Sequence, residues 1–195
     1  MATSTAPGRR LSKVARRDQL LDAAADVVVA SGPGAVTMER VADHAGVSKA
    51  LPYQHFANAT ELLRALHERE VAHLGRRVLV AVRGARGADA QWRAAIDAYF
   101  DVIAERGVLL GVLGRAVPAG DAEPGPPVGQ RFVASLLTEV SGVTGQRALV
   151  LAEVVQAALL GAVTAWGRGD ASRRLVQTTV TDALLAMIGS VTARR

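Results

Sequence analysis

Apolar residues recur along this chain at helical spacing, and nowhere in the strict alternation of a half-buried strand. Leu21, Ala24, Ala25 and Val28 stand at i, i+3, i+4 and i+7, the stripe of an amphipathic helix. That spacing predicts a helix from about Ser12 to Ala30, stopped by Ser31-Gly32-Pro33-Gly34. Thr37 is a suitable N-cap for a second helix with Met38, Val41, Ala42 and Ala45 on one side. Gly46 ends it after two turns. Ser48 is placed to cap a third short helix bearing Tyr53 and Phe56. Asn58-Ala59-Thr60-Glu61 reads as a capping box. It precedes a long helix with Leu62, Leu63, Leu66, Leu74 and Val78, which fades at Gly84 and Gly87.

Further helices are predicted over 88–105, 108–117, 128–141, 146–166 and 171–191. Asp121 to Pro127 holds three of the seven prolines and is expected to be a loop. The predicted fold is all-α, in three parts: an N-terminal arm over 1–11, a three-helix module over 12–57, and a six-helix domain over 58–195.

Composition narrows what such a fold can do. Half the residues are hydrophobic but only 4% are aromatic, so the core is built from Ala, Val and Leu. No cysteine is present, which removes disulfides, thiolate metal sites and cysteine catalysis. The net charge of +5 favours anionic partners, nucleic acid or a membrane surface. Residues 1–17 hold Arg9, Arg10, Lys13, Arg16 and Arg17 and no acid. That arm is either a solubilising tail or a minor-groove or phosphate contact.

The N-terminus lacks the apolar run of a secretory signal, and the expected location is cytoplasmic. Ala148 to Trp166 is apolar over about a membrane-spanning length, but it contains Glu153 and Gln156. A charge near mid-bilayer costs about 2.5–3.5 kcal/mol. The segment reads as a buried helix of a soluble protein, with no membrane partner.

The segment from Thr37 to Phe56 carries the function. Two short helices flank Ala45-Gly46-Val47-Ser48. Glycine permits the sharp turn, Val47 plugs the space between the helices, and Ser48 presents the start of the second outward. This is the layout of a helix-turn-helix, whose second helix reads base edges in the major groove. Residues 37–66, TMERVADHAGVSKALPYQHFANATELLRAL, resemble the DNA-binding segment of the tetracycline-repressor (TetR) family. The shared pattern is Thr37, Ala42, Ala45, Gly46, Val47, Ser48, Tyr53, His55 and Phe56. The resemblance covers residues 20–66; beyond them only the helical architecture matches.

The resemblance implies roles for these residues. Thr37 and Tyr53 would contact phosphates. Ser48, Lys49 and Leu51 would face the major groove, with Gln54 and His55 at the backbone or the groove edge. Phe56 would lock the recognition helix onto the first helix. Two positions depart from the pattern: Ala59 stands where the family often has a phosphate-touching lysine, and Pro52 where it usually has another residue. The function implied is a homodimeric repressor, released from a palindromic site on double-stranded DNA by a small-molecule effector.

Candidate residues for the effector site are Trp92, Tyr99, Phe100, Ile103, Phe132, Glu153 and Trp166, lining an apolar pocket. For the dimer, Ala157, Ala158, Gly161, Ala162 and Ala165 give a small-residue surface, and Leu184, Leu185 and Ile188 add bulk. The rival readings are a helical enzyme using the same cavity and a regulator without ligand response. No triad, metal cluster or phosphate loop is recoverable, so no catalytic residue, metal or cofactor is expected. His67, Glu70 and His73 share one helix, and Glu70-x-x-His73 is half of a di-iron motif; all three are expected to face solvent. Pro52 at the start of the recognition helix predicts a first turn that is loosened, tightened to 3₁₀ form, or late.

Overall fold

A computed structural model describes residues 11–116 and 127–193. Among them are seven α-helices and no strand. The helices are α1 (Lys13–Ser31), α2 (Met38–Ala45), α3 (Ala59–Gly84), α4 (Ala88–Ala116), α5 (Val128–Ser141), α6 (Gly145–Gly167) and α7 (Arg173–Thr192). Two 3₁₀ turns, Pro33–Ala35 and Pro52–Gln54, complete the list. Arg9 and Arg10 of the basic arm, and the proline-rich loop up to Pro126, lie outside the described residues.

The chain divides into two units, and α3 and α4 contribute residues to both. The described part of the first is 11–69 with 108–116. Its core gathers Leu20, Leu21, Ala24 and Val28 of α1, Val41 of α2, Phe56, and Leu62 and Leu66 of α3. Leu109 and Leu113 of α4 join the same cluster. Each fully buried large aliphatic side chain is worth roughly 1.5–3 kcal/mol, so one helical stripe meeting another sets the packing of this small module.

Local signals fix the helix ends. The Ser12 hydroxyl accepts from the Ala15 amide at 3.1 Å, and the Thr37 hydroxyl accepts from Arg40 at 3.1 Å. Asn58 accepts from the Glu61 amide at 2.9 Å. Glu61 reaches back to the amide of Ala57 at 2.6 Å, one residue before the position a capping box normally uses.

The second unit holds the rest of α3 and α4 with α5, α6 and α7. One cluster joins Val78, Val82, Trp92, Leu137, Leu151 and Ile188; the other joins Ile96, Phe100, Val155, Val180 and Leu184. The Trp92 indole donates to the Ser141 hydroxyl at 2.8 Å, so this buried ring carries no unmet donor.

Three expectations are corrected here. The segments 88–105 and 108–117 form one helix, α4. Gly107 does not break it, because Leu109 and Leu113 are buried at 5% and 0% exposure, and such packing outweighs the roughly 1 kcal/mol penalty of a helical glycine. The recognition segment is not an α-helix but a run of tight turns ending in 3₁₀ form. And α6 is buried on one side only: Val150, Val154 and Leu160 are exposed. By length and composition, α6 and α7 both suffice to cross a membrane.

Candidate nucleic-acid interface

The turn between α2 and the recognition segment is built as its residues require. Gly46 has φ 66° and ψ 37°, the left-handed region where a side chain is strained. Its N–H bonds back to α2, and the Val47 amide donates to Ala42 at 3.0 Å. Val47 packs against the core of the first unit, as a plug should. Gln19 of α1 donates to the carbonyl of Ala45 at 2.9 Å, tying α1 to the last turn of α2.

From Ser48 onward the chain turns tightly. The Leu51 amide donates to Ser48 at 2.9 Å, Gln54 to Leu51 at 3.0 Å, and His55 to Pro52 at 3.0 Å. All three are i→i+3 bonds. Proline has no amide proton to reach Ser48, which excludes the bond that would begin an α-helix. The tightening thus extends through Gln54, beyond the first turn expected from the sequence. No side chain caps the 3₁₀ turn, so the expected capping role of Ser48 does not hold.

Pro52 itself is buried. Phe56, at 2% exposure, anchors the segment in the core, and the Arg17 guanidinium lies 4.9 Å from its ring centroid.

With the anchor buried, the candidate contact residues are presented together. Thr37, Ser48, Lys49, Tyr53 and Gln54 are exposed; Leu51 and His55 are half-buried. All seven belong to the first unit. Two further sets of charges join them. Lys13, Arg17 and Arg16 of α1 act on His55: its pKa lies below the ordinary histidine value, first through desolvation and then through these three cations. Both effects favour the neutral His55 ring over the imidazolium.

The second addition is Glu39. The Tyr53 hydroxyl donates to its Oε1 at 3.1 Å. The carboxyl is held below the usual range by its own backbone amide first, then by Tyr53, Thr37 and Lys49. The Tyr53 phenol is raised in turn by the same hydrogen bond, by desolvation and by the Glu39 charge. Sequence reading missed Glu39 because its partner is 14 residues away.

The residues expected to line an effector pocket are only partly brought together. Tyr99 stacks edge-on to Phe100 at 5.7 Å, and Phe100 lies 6.4 Å from Trp166. Tyr99 and Phe132 both pack against the cluster that contains Trp92. Ile103 lies over Gly107, its Cγ2 3.0 Å from where a β-carbon would stand. Glu153 is exposed rather than buried among these aromatics. The two leading grooves of the second unit, about 450 and 370 Å³, are lined instead by residues such as Arg93, Asp97, Arg173, His73 and Arg77.

The dimer candidates also divide. Ala157 and Gly161 are exposed. Ala158, Ala162 and Ala165 pack onto the chain's own core, Leu184 and Ile188 are buried in it, and Leu185 is half-buried against it. The exposed positions of α6 include Val150, Val154, Ala157, Leu160 and Gly161.

The expectation that His67, Glu70 and His73 face solvent fails for Glu70, while His67 and His73 are half-buried. Glu70 is 1% exposed and accepts from Arg106 at 2.6 Å, and the Nε2 of His73 is buried. No group of three or more potential ligands among the described residues forms a metal site. Sequence gives no hint of the Glu70–Arg106 pair, whose members stand 36 residues apart.

An eight-residue helix, a left-handed glycine turn and a core-anchored, exposed reading segment define a helix-turn-helix protein. Residues 20–66 match the profile of the bacterial regulatory proteins of the tetR family. The transcriptional activator FasR of Mycolicibacterium smegmatis is 44% identical over 96 residues, which is 49% of this chain and 44% of that protein. The match therefore spans less than half of the relative's length. Among solved structures, a Rhodococcus sp. RHA1 protein of unknown function superposes with a TM-score of 0.71 at 24% identity, covering 91% of this chain and 96% of the other. FadR of Bacillus subtilis, in complex with stearoyl-CoA, superposes with a TM-score of 0.66 at 18% identity, covering 86% and 96%. At these identities the superpositions speak for the fold.

Proposed function

We propose that this protein is a DNA-binding transcriptional regulator that works as a homodimer and takes a mostly apolar effector in its second unit. The observation that carries the reading is the exposed set Lys49, Tyr53 and Gln54 on a Phe56-anchored turn, with Thr37 exposed at the start of α2 and Lys13, Arg16 and Arg17 acting on His55 of the same turn. Such a surface suits phosphates and base edges together. Dimerisation is supported by the exposed stripe Val150, Val154, Ala157, Leu160, Gly161 and Thr164 on α6, continued by small residues such as Ala183 and Ala186 on α7. An unpartnered apolar face of this kind marks an interaction surface. Two copies joined there as a four-helix bundle would present two reading segments, for half-sites about 34 Å apart on a near-palindromic duplex.

For the effector, support comes from the apolar interior around Tyr99, Phe132 and Trp166 and from the stearoyl-CoA bound by the B. subtilis neighbour. A fatty-acyl thioester is therefore the first class to test. Regulation follows if the ligand prefers one of two states that differ in DNA affinity. A relative that is an activator shows that the module does not dictate repression.

The test is selection of binding duplexes from a random library, followed by anisotropy titrations at two salt concentrations with and without acyl-CoA. A recovered inverted repeat, affinity falling steeply with salt and ligand-dependent release support the reading. Failure to enrich any sequence refutes it.

A further inference from the structure

A carboxylate is an unexpected neighbour for a surface that meets DNA. Glu39 is the one acid in the first turn of α2, and it is exposed. Its Oε1 accepts the Tyr53 hydroxyl at 3.1 Å. Its own backbone amide and the Thr37 hydroxyl also favour the charged carboxylate, and Lys49 adds a favourable field. These four donors and charges come from the N-terminus of α2 and from the reading segment. They are the groups with which the module would bind a phosphate of the DNA backbone.

We infer that the Glu39 carboxylate is an internal stand-in for a DNA phosphate, holding the phosphate-binding groups in place on the free module and competing with DNA for them. This rests on the DNA-binding reading above. A phenol has one proton to donate, so Tyr53 serves either Glu39 or a phosphate. When a duplex docks, the hydroxyl leaves the carboxylate, which then stands as a like charge beside the incoming backbone. The free module gains order from the contact, and every DNA complex loses affinity to it. Since backbone contacts supply most non-specific binding, the loss falls on random DNA as well as on the operator. Repulsive groups of this kind limit unwanted association.

The experiment compares wild type, Glu39→Gln, Tyr53→Phe and the double variant by fluorescence anisotropy. The probes are a duplex selected by the wild-type protein from a random library and a random-sequence duplex of equal length. Glu39→Gln is expected to tighten binding to both, by about tenfold, or 1.4 kcal/mol. The gain should shrink in the Tyr53→Phe background, where the contested hydroxyl is absent. Circular dichroism of each variant checks that the module is folded; both side chains are exposed, so the core is untouched. Unchanged affinity overturns the inference. Weaker binding of Glu39→Gln to the selected duplex also overturns it, and would make Glu39 a base-reading or tyrosine-orienting residue. Wild type binding neither duplex would refute the DNA-binding reading itself, a separate outcome.

Discussion

Replacing Pro52 by leucine should make the protein more stable and a poorer binder of its own operator. Leu51 has φ −67° and ψ −43°, the α region that a following proline disfavours through clash with its ring. Position 52 has no N–H to give to the Ser48 carbonyl, which instead accepts from Leu51 at 2.9 Å. Leucine supplies that donor, worth about 0.5–1.5 kcal/mol net, and removes the pre-proline crowding. The full penalty of proline deep inside a helix, about 3 kcal/mol, is an upper bound, since this segment is short. Against the gain stand the greater freedom of the unfolded chain without proline, about 0.4–1 kcal/mol, and the need to seat a leucine in the buried space of the ring. The balance lies between about zero, from the hydrogen bond alone, and about 2 kcal/mol, from the upper bound, with stabilisation of about 1 kcal/mol expected. At about 2–4 °C per kcal/mol for a chain of this size, the melting temperature should rise by roughly 2–4 °C. Far-UV circular dichroism should gain about one helical turn. Lys49 and Leu51 would then rotate from their turn positions, and affinity for a duplex selected by wild type should fall. An unchanged or lower melting temperature, or a variant structure that keeps 3₁₀ bonding over Pro52–Gln54, would refute the reasoning.

Lys49→Ala should weaken the selected duplex by about 1–3 kcal/mol if the side chain reads a base; equal loss on random DNA, seen by anisotropy, would make it a phosphate contact instead. Phe56→Ala should cost about 3–5 kcal/mol in denaturant unfolding, because the ring is 2% exposed in the core of the first unit. Burial pushes the Tyr99 phenol from 10.0 up to about 12. The proton is held more tightly folded than unfolded, so this stability is complete below pH 10 and is lost as pH rises towards 12. Tyr99→Phe should flatten that alkaline loss in unfolding titrations. Gly161→Arg should give monomers by sedimentation with an intact fold, since nothing lies within 4 Å of a β-carbon there.

What the sequence made legible was local. The Thr37 cap, the Gly46 turn and the Asn58–Glu61 cap each close through hydrogen bonds spanning a few residues, so residue type and spacing suffice to read them. A disturbed first turn at Pro52 is legible for the same reason, though not which of three forms it takes, whereas the anchoring of Phe56 is implied only by the family resemblance. What escaped depends on pairs brought together by the fold. Glu39 meets Tyr53 across the turn, and Glu70 meets Arg106 across two helices. Gly107 looked like a break because propensity is a local quantity, whereas the burial of Leu113 is not. Helical phase escaped too. A period of 3.6 groups Leu184 with Ile188 without saying whether that face turns inward, and here it turns inward.

The phase of α6 also bears on what covers its outer face. Hydropathy alone would let this helix cross a bilayer. Its inner face, Ala148, Leu151, Ala152, Val155 and Leu159, is committed to the core of the second unit. Its outer face places Glu153 directly beside Val150 and Val154. A carboxylate on a lipid-facing helix carries a cost of about 2.5–3.5 kcal/mol at the bilayer centre, whereas at the rim of a protein interface it stays hydrated and costs little. The residues further along, Ala157, Gly161 and Thr164, are small, which permits close approach of a second helix. Lipid tails need no such flat surface. Charge at one end of the stripe and small side chains at the other therefore favour another copy of the chain as the covering partner. Such a dimer would also supply the second reading segment that an inverted-repeat operator requires.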